Sequence, residues 1–301
     1  MKSKLGNSRQ IISVYDLSFN GGREAGKRCY LVTVGHMEVL FNLDNALDIV
    51  WVKYRGENIS FLSKNGLNSN MGEFKDKFEG GFLYTCGMDG INTCVKGVPV
   101  HGSLHYQKAE DVFYRVFDDK VVVGGIVRRT ALFGQDLSLE RCYTVTKDGI
   151  EICDIVVNNS FLDTEYVLLY HINYGYPFLD EKLKIDMPLV KSEGVTEKSR
   201  QNIERQFTVT SPVGDGIEEV FYNYIKKGEV YLQNDDLGIK CCMGYDIDDF
   251  PVTVQWKSMV SGDYALGIEP STSRFDDFKM RTIKSGERKK YQIIINFFNI
   301  D

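Results

Sequence analysis

No run of about 18 apolar residues occurs anywhere in this chain, which argues against a membrane-spanning helix. The stretch MKSKLGNSRQIISVYDLSF carries lysines but neither an apolar core nor a small-residue cleavage site, so no targeting segment is expected. Clustered basic residues are equally scarce. Acidic and basic side chains are mixed throughout and the formal net charge is −6. The one compact basic group, Arg288, Lys289 and Lys290, is too short for a nucleic-acid face and reads as a solvated strand end. Among the seven cysteines (Cys29, Cys86, Cys94, Cys142, Cys153, Cys241 and Cys242) no C-x-x-C pair is found. That speaks against a zinc ribbon and a thioredoxin-like motif. Cysteines within apolar runs such as LERCYTV serve as small core residues. A reducing cytoplasm is the simplest expectation, with neither nucleic acid nor membrane as partner.

What the chain does have is β-forming sequence. Hydrophobic residues make up 43% of its 301 positions, enough to bury a sizeable core. Alternating and β-branched runs dominate: RCYLVTV, MEVLFNL, DVFYRVF, KVVVGGIVRRTALF, LSLERCYTVT, IEICDIVVNN and EYVLLYHINY. Later come RQFTVT, EVYLQN, IKCCMGY, TVQWKSM, YALGIE and KKYQIIINFF. Turn signals such as KDG (147–149), NNS (158–160) and SGE (285–287) separate them. Many strands with turns between them predict an all-β sandwich or barrel rather than βαβ units. GIEEVFYNYIKK fits both helical spacing and alternation, and its aromatic and β-branched content favours a strand. The first fifteen or so residues could hold a short helix. No repeat or linker interrupts the chain, so residues 1–301 are expected to form one domain.

Four motifs bear on chemistry. GGREAGK (21–27) matches the opening of a phosphate loop, but Arg28 stands where Ser or Thr should follow, and a strand replaces the helix. A glycine-rich hairpin turn explains it better. HGSLH places His101 and His105 four apart, yet Gly102 and Ser103 make a poor helix, so a metal site there has little support. In GIEPST, Gly267 and Glu269 share one face opposite Leu266 and Ile268. Pro270 forces Glu269 into extended geometry, which predicts Glu269 as a strand's last residue, at a cleft rim. A lone strand-end glutamate is more often simply solvated.

In LLYHINYGYP, His171 and Asn173 share a face opposite Ile172, and Gly175 and Pro177 close the strand. An imidazole buried there needs partners for its ring nitrogens. It is therefore either a satisfied core group or a chemically used one.

At LLYHINYGYPFLDE the sequence resembles the aldose 1-epimerase-like proteins, in particular a bacterial branch of that superfamily. Further similar stretches are ALDIVWVKYRGENISFLS, EGGFLYTCGMDGINT, VHGSLHYQKAEDV, LFGQDLSLERCYTV, VQWKSMVSGDYALGIEPST and SGERKKYQI. They keep the branch's order and cover nearly the whole chain.

The resemblance implies a galactose mutarotase-like fold, a large antiparallel β-sandwich with a small-molecule sugar site on its concave face. It implies Glu269 as general base and His171 as general acid, with His101 holding the sugar. No metal or organic cofactor is implied. Asn173 and Gln255 are plausible hydroxyl binders, and Trp256 is a stacking platform or a core residue. The branch usually carries Arg where this chain has Asn45, a position expected to face substrate. An aldose 1-epimerase-type isomerase is therefore expected. A carbohydrate-binding or regulatory protein that keeps the cleft without turnover is the alternative.

Overall fold

The computed structural model describes residues 4–68, 73–92, 97–214 and 216–300. Strands dominate and are antiparallel within every sheet. An eight-stranded sheet runs Lys184–Asp186, Glu229–Asn234, Ile239–Tyr245, Arg288–Asn299, Gly149–Asn158, Asp136–Thr146, Lys120–Thr130, Ala109–Val116. A six-stranded sheet runs Leu189–Gly194, Glu219–Ile225, Val252–Val260, Asp263–Ser271, Leu168–Gly175, Leu83–Gly87. The strands Ile12–Ser18, Arg28–Val34, Met37–Asn42, Asp48–Tyr54 and Glu57–Asn58 form a third sheet. All three contribute to one large apolar core.

Side-chain alternation divides the work of the six-stranded sheet. Tyr170, Ile172, Tyr174, Leu266 and Ile268 enter the core shared with the eight-stranded sheet. The opposite face carries a smaller cluster that includes Tyr84, Leu169, Tyr222 and Val254, with Phe74, Phe78 and Phe275 packed against it. His171, Glu269 and Trp256 sit on this second face.

The all-β expectation holds, and the ambiguous GIEEVFYNYIKK contains the strand Glu219–Ile225. Near the start, a short 3₁₀ turn, Ser8–Gln10, precedes the first strand. Three expectations are corrected. RQFTVT is not a strand but follows a 3₁₀ turn at Ile203–Arg205. There the Gln206 carbonyl accepts from the Gln255 side chain, tying the segment to the sheet by side chains rather than by a ladder. The strand carrying Glu269 does not stop at Pro270 but runs to Ser271, with Pro270 opposite Thr253. Glu269 is accordingly buried, not at a rim.

GGREAGK is indeed the connection of an antiparallel hairpin. The amides of Ala25, Gly26 and Lys27 bond to carbonyls of the same loop, leaving no cradle for a phosphate. Cys29, Cys86, Cys142, Cys153, Cys241 and Cys242 are free thiols, while Cys94 lies outside the described residues. Among the described residues no helix is long and apolar enough to cross a membrane.

Candidate active site

A cavity of about 690 Å³ opens over the second face of the six-stranded sheet. His171 and Glu269 lie on hydrogen-bonded neighbouring strands. The register that pairs Ile172 with Ile268 and Leu169 with Ser271 sets them directly opposite. Their side chains meet: His171 Nε2 is 3.2 Å from Glu269 Oε1. Both residues are almost fully buried.

Two glycines allow this arrangement. A Cβ on Gly267 would fall 2.5 Å from Glu269 Oε1 and 3.2 Å from His171 Cε1, so only glycine leaves room for the carboxylate. His101 adopts φ 66° and Gly102 φ 81°. A Cβ on Gly102 would meet the Gly90 carbonyl oxygen at 2.4 Å and that of Gly87 at 2.5 Å, so this close crossing also demands glycine. It turns the His101 ring into the cavity, 5.7 Å from that of His171 and edge-on to it.

The walls are aromatic. Trp256 and Phe78 stand 5.4 and 5.6 Å from the His171 ring, and Phe74 lies 4.8 Å from that of His101. Phe61 and Phe275 also line the space. The Trp256 indole nitrogen donates to Glu218 Oε2 at 2.8 Å, which holds the ring in place.

Polar atoms on this face lack partners. His101 Nδ1, His171 Nδ1, Asn173 Oδ1 and Glu269 Oε1 are buried with no hydrogen bond. Such groups are costly unless a ligand or water completes them. Burial, reinforced by His101, pushes the His171 imidazole well below its ordinary value. Burial likewise pushes the Glu269 carboxyl well above its own, with a smaller contribution from the Glu218 charge. His101 is lowered by burial to about 4 and is neutral at pH 7. Removal from water penalises each charged form.

The other expected contact residues do not line the cavity. Asn173 directs its amide nitrogen to the carbonyls of Gly81 (2.9 Å) and His171 (3.1 Å), bracing the strand beneath the histidine. Gln255 faces away from Trp256, accepting from Asn223 and donating to Gln206. Asn45 is not at this cavity, because it accepts a 2.7 Å hydrogen bond from Lys27 in a separate pocket. Of the four expected sugar contacts only Trp256 lines the cavity.

His101 and His105 do not share a site either. The ring nitrogens of His105 face Asp48 (2.8 Å) and Glu79 (3.4 Å), behind the wall formed by Tyr84. No group of three His, Cys, Asp or Glu among the described residues is placed to hold a metal ion. Of the aromatic walls only Trp256 was expected; Phe61, Phe74, Phe78 and Phe275 were not. Phe74 and Phe78 were nevertheless visible at i and i+4 in EFKDKF, the spacing that puts two rings on one helical face.

The antiparallel β-sandwich is of the galactose mutarotase-like fold class. The chain belongs to the family described as a domain of unknown function (DUF4432), whose model matches residues 24–295. Its structure is similar to that of a Klebsiella pneumoniae protein described as a candidate aldose 1-epimerase. Identity there is 16% and the TM-score 0.87, over 96% of this chain and 84% of that one. It is also similar to a galactose mutarotase-like protein from Clostridium acetobutylicum (15% identity, TM-score 0.72, 97% and 100% covered). A third similar structure is a galactose 1-epimerase from Lactobacillus acidophilus (12%, 0.68, 96% and 100%). Identities this low speak for the fold. No curated protein sequence matches.

Proposed function

We propose that the protein is a mutarotase of the aldose 1-epimerase type, interconverting the anomers of a free aldose or close derivative. The observation that carries this reading is the facing pair His171 and Glu269, buried at 3.2 Å beneath a cavity of sugar-accepting size. Glu269 takes the proton of the anomeric hydroxyl while His171 protonates the ring oxygen. The bond between C1 and the ring oxygen breaks to give the open aldehyde. Rotation about C1–C2 and reclosure, with the proton transfers reversed, give the other anomer.

Burial tunes both groups in the direction this needs. A carboxylate whose proton affinity is raised is a stronger base, and an imidazolium whose affinity is lowered is a stronger acid. Burial favours the uncharged tautomer of the resting pair, a carboxylic acid beside a neutral imidazole. Proton transfer across their short separation yields the reactive ion pair, and sugar hydroxyls donating to the carboxylate stabilise it. The aromatic walls suit the apolar C–H face of a pyranose, and neutral His101 is placed to accept from a hydroxyl.

Polarimetry or exchange NMR on a panel of aldoses tests the reading: at least one sugar should interconvert faster than in buffer. Binding without acceleration of any sugar would favour a carbohydrate-binding role instead, a reading kept open by the absence of Asn45, Asn173 and Gln255 from the cavity lining.

A further inference from the structure

A second cavity, of about 550 Å³, lies on the other side of Tyr84 from the sugar cavity. Tyr84 stacks on His105 at 3.6 Å and donates to the Tyr106 hydroxyl on this side, while its other neighbours, Phe74 and Phe78, belong to the sugar cavity. The new cavity is lined by Lys27, Lys77 and Lys108, with Asp44, Asn45 and Glu79.

Lys27 is the unusual member. It is 7% exposed, and its ammonium's one hydrogen bond among the described residues is to the neutral Asn45 Oδ1, at 2.7 Å. Buried ammonium groups are normally met by a carboxylate. Both nearby carboxylates are already engaged. Asp44 accepts from Arg28 through Nε (3.1 Å), Nη2 (2.8 Å) and the backbone amide (2.9 Å), with Lys108 at 3.7 Å. Glu79 faces His105, whose imidazole is charged at pH 7, and accepts from Asn42. Lys77 stands over the Tyr106 ring at 4.9 Å. Three lysines thus line one polar space in a chain whose net charge is −6.

We propose that this second cavity binds a small anion of the phosphate class, free or esterified, gripped by Lys27 at its floor and by Lys77 and Lys108 at its mouth. Lysine is a common phosphate ligand, acting as a point charge, and an anion here supplies the counter-charge that Lys27 lacks. The inference does not depend on the sugar reading, because Tyr84 separates the two spaces.

Isothermal titration calorimetry of the full chain with inorganic phosphate and with glycerol phosphate tests it. At least one should bind saturably. Tighter binding of glycerol phosphate assigns an ester, and binding of phosphate alone assigns the free ion. Lys27→Met should weaken binding about tenfold or more, the order expected for losing a hydrogen bond to a charged group. Asn45→Asp should do the same while keeping the lysine, by supplying its missing carboxylate, and it decides the matter if Lys27→Met fails to fold. Glu269→Gln should leave anion binding unchanged. Absence of saturable binding, indifference to Asn45→Asp, or loss of binding in Glu269→Gln would each overturn the proposal.

Discussion

Two buried polar clusters lie on opposite sides of the six-stranded sheet, and they are built on opposite rules. On the core side, Arg141 is fully buried and bonded in every direction. It donates to Asp154 from Nε (3.0 Å) and Nη2 (2.7 Å), and from Nη1 to Asp48 (2.6 Å) and the Ala46 carbonyl (2.9 Å). Tyr170 adds a hydrogen bond to Asp154 at 2.7 Å, and Asp48 also takes one from the Thr85 amide at 2.8 Å. On the cavity side, His171 and Glu269 are as deeply buried yet leave ring nitrogen and carboxylate oxygen unmet. One cluster is saturated, the other has open valences. Saturation marks a group that holds the fold, and unmet capacity marks one that awaits a ligand.

The largest expected effect comes from opening the saturated cluster. Arg141→Met strands Asp154 without a counter-charge, leaves Asp48 with His105 alone, and should cost about 3–5 kcal/mol, read by denaturant unfolding. A loss below about 1 kcal/mol would mean the network does not carry the weight its geometry suggests.

Next come Glu269→Gln and His171→Asn. Each should reduce turnover by about 10²–10⁴-fold with the melting temperature unchanged or raised, since each removes a group that burial disfavours when charged. A large stability loss with activity retained would return His171 to the rank of a core histidine.

Gly267→Ala tests positioning. The new methyl competes for the place of Glu269 Oε1. Turnover should fall by about 10²-fold, the scale of a 1 Å misplacement, while the Tyr84 side of the molecule is unaffected. Unchanged turnover would show that the carboxylate can relocate without loss.

The smallest effect separates the clusters by pH. For His105, burial opposes the charge, but hydrogen bonds to Asp48 and Glu79 overcome it and raise the imidazole to about 9. Its folded value lies above the ordinary 6.5, so this stabilisation is complete below pH 6.5 and disappears as pH rises through about 9. His171 is shifted the other way and penalises the folded state as pH falls below 6.5. Stability measured against pH should therefore lose its alkaline decline in His105→Gln and part of its acid decline in His171→Asn. Activity should follow a bell in which the pair holds one proton across neutrality.

Much of this architecture was legible in the chain itself. Alternation assigned His171 and Ile172 to opposite faces, as it did Glu269 and Ile268, because strand periodicity is local. What local pattern could not supply was neighbourhood. Asn45 looked like a site residue by resemblance, but its partner is Lys27 across a different pocket. Asn173 shares a face with His171, yet backbone carbonyls satisfy its amide nitrogen. RQFTVT has strand composition but lies where side chains rather than a neighbouring strand take its carbonyl. Pro270 suggested a strand end, although Thr253 still pairs with it. Strand order and the dividing role of Tyr84 arise from contacts between distant segments, which no short window contains.

The ladder that sets Ile172 against Ile268 also sets the distance between the two residues proposed to move protons. That distance belongs to the sheet and owes nothing to the segments around Phe74 and Thr196, which line the cavity from outside its strands. Those segments can be rewritten to admit a different ligand while the spacing of the proposed proton-moving pair stays as it is. Selectivity and chemistry are thereby free to diverge at separate rates on one scaffold.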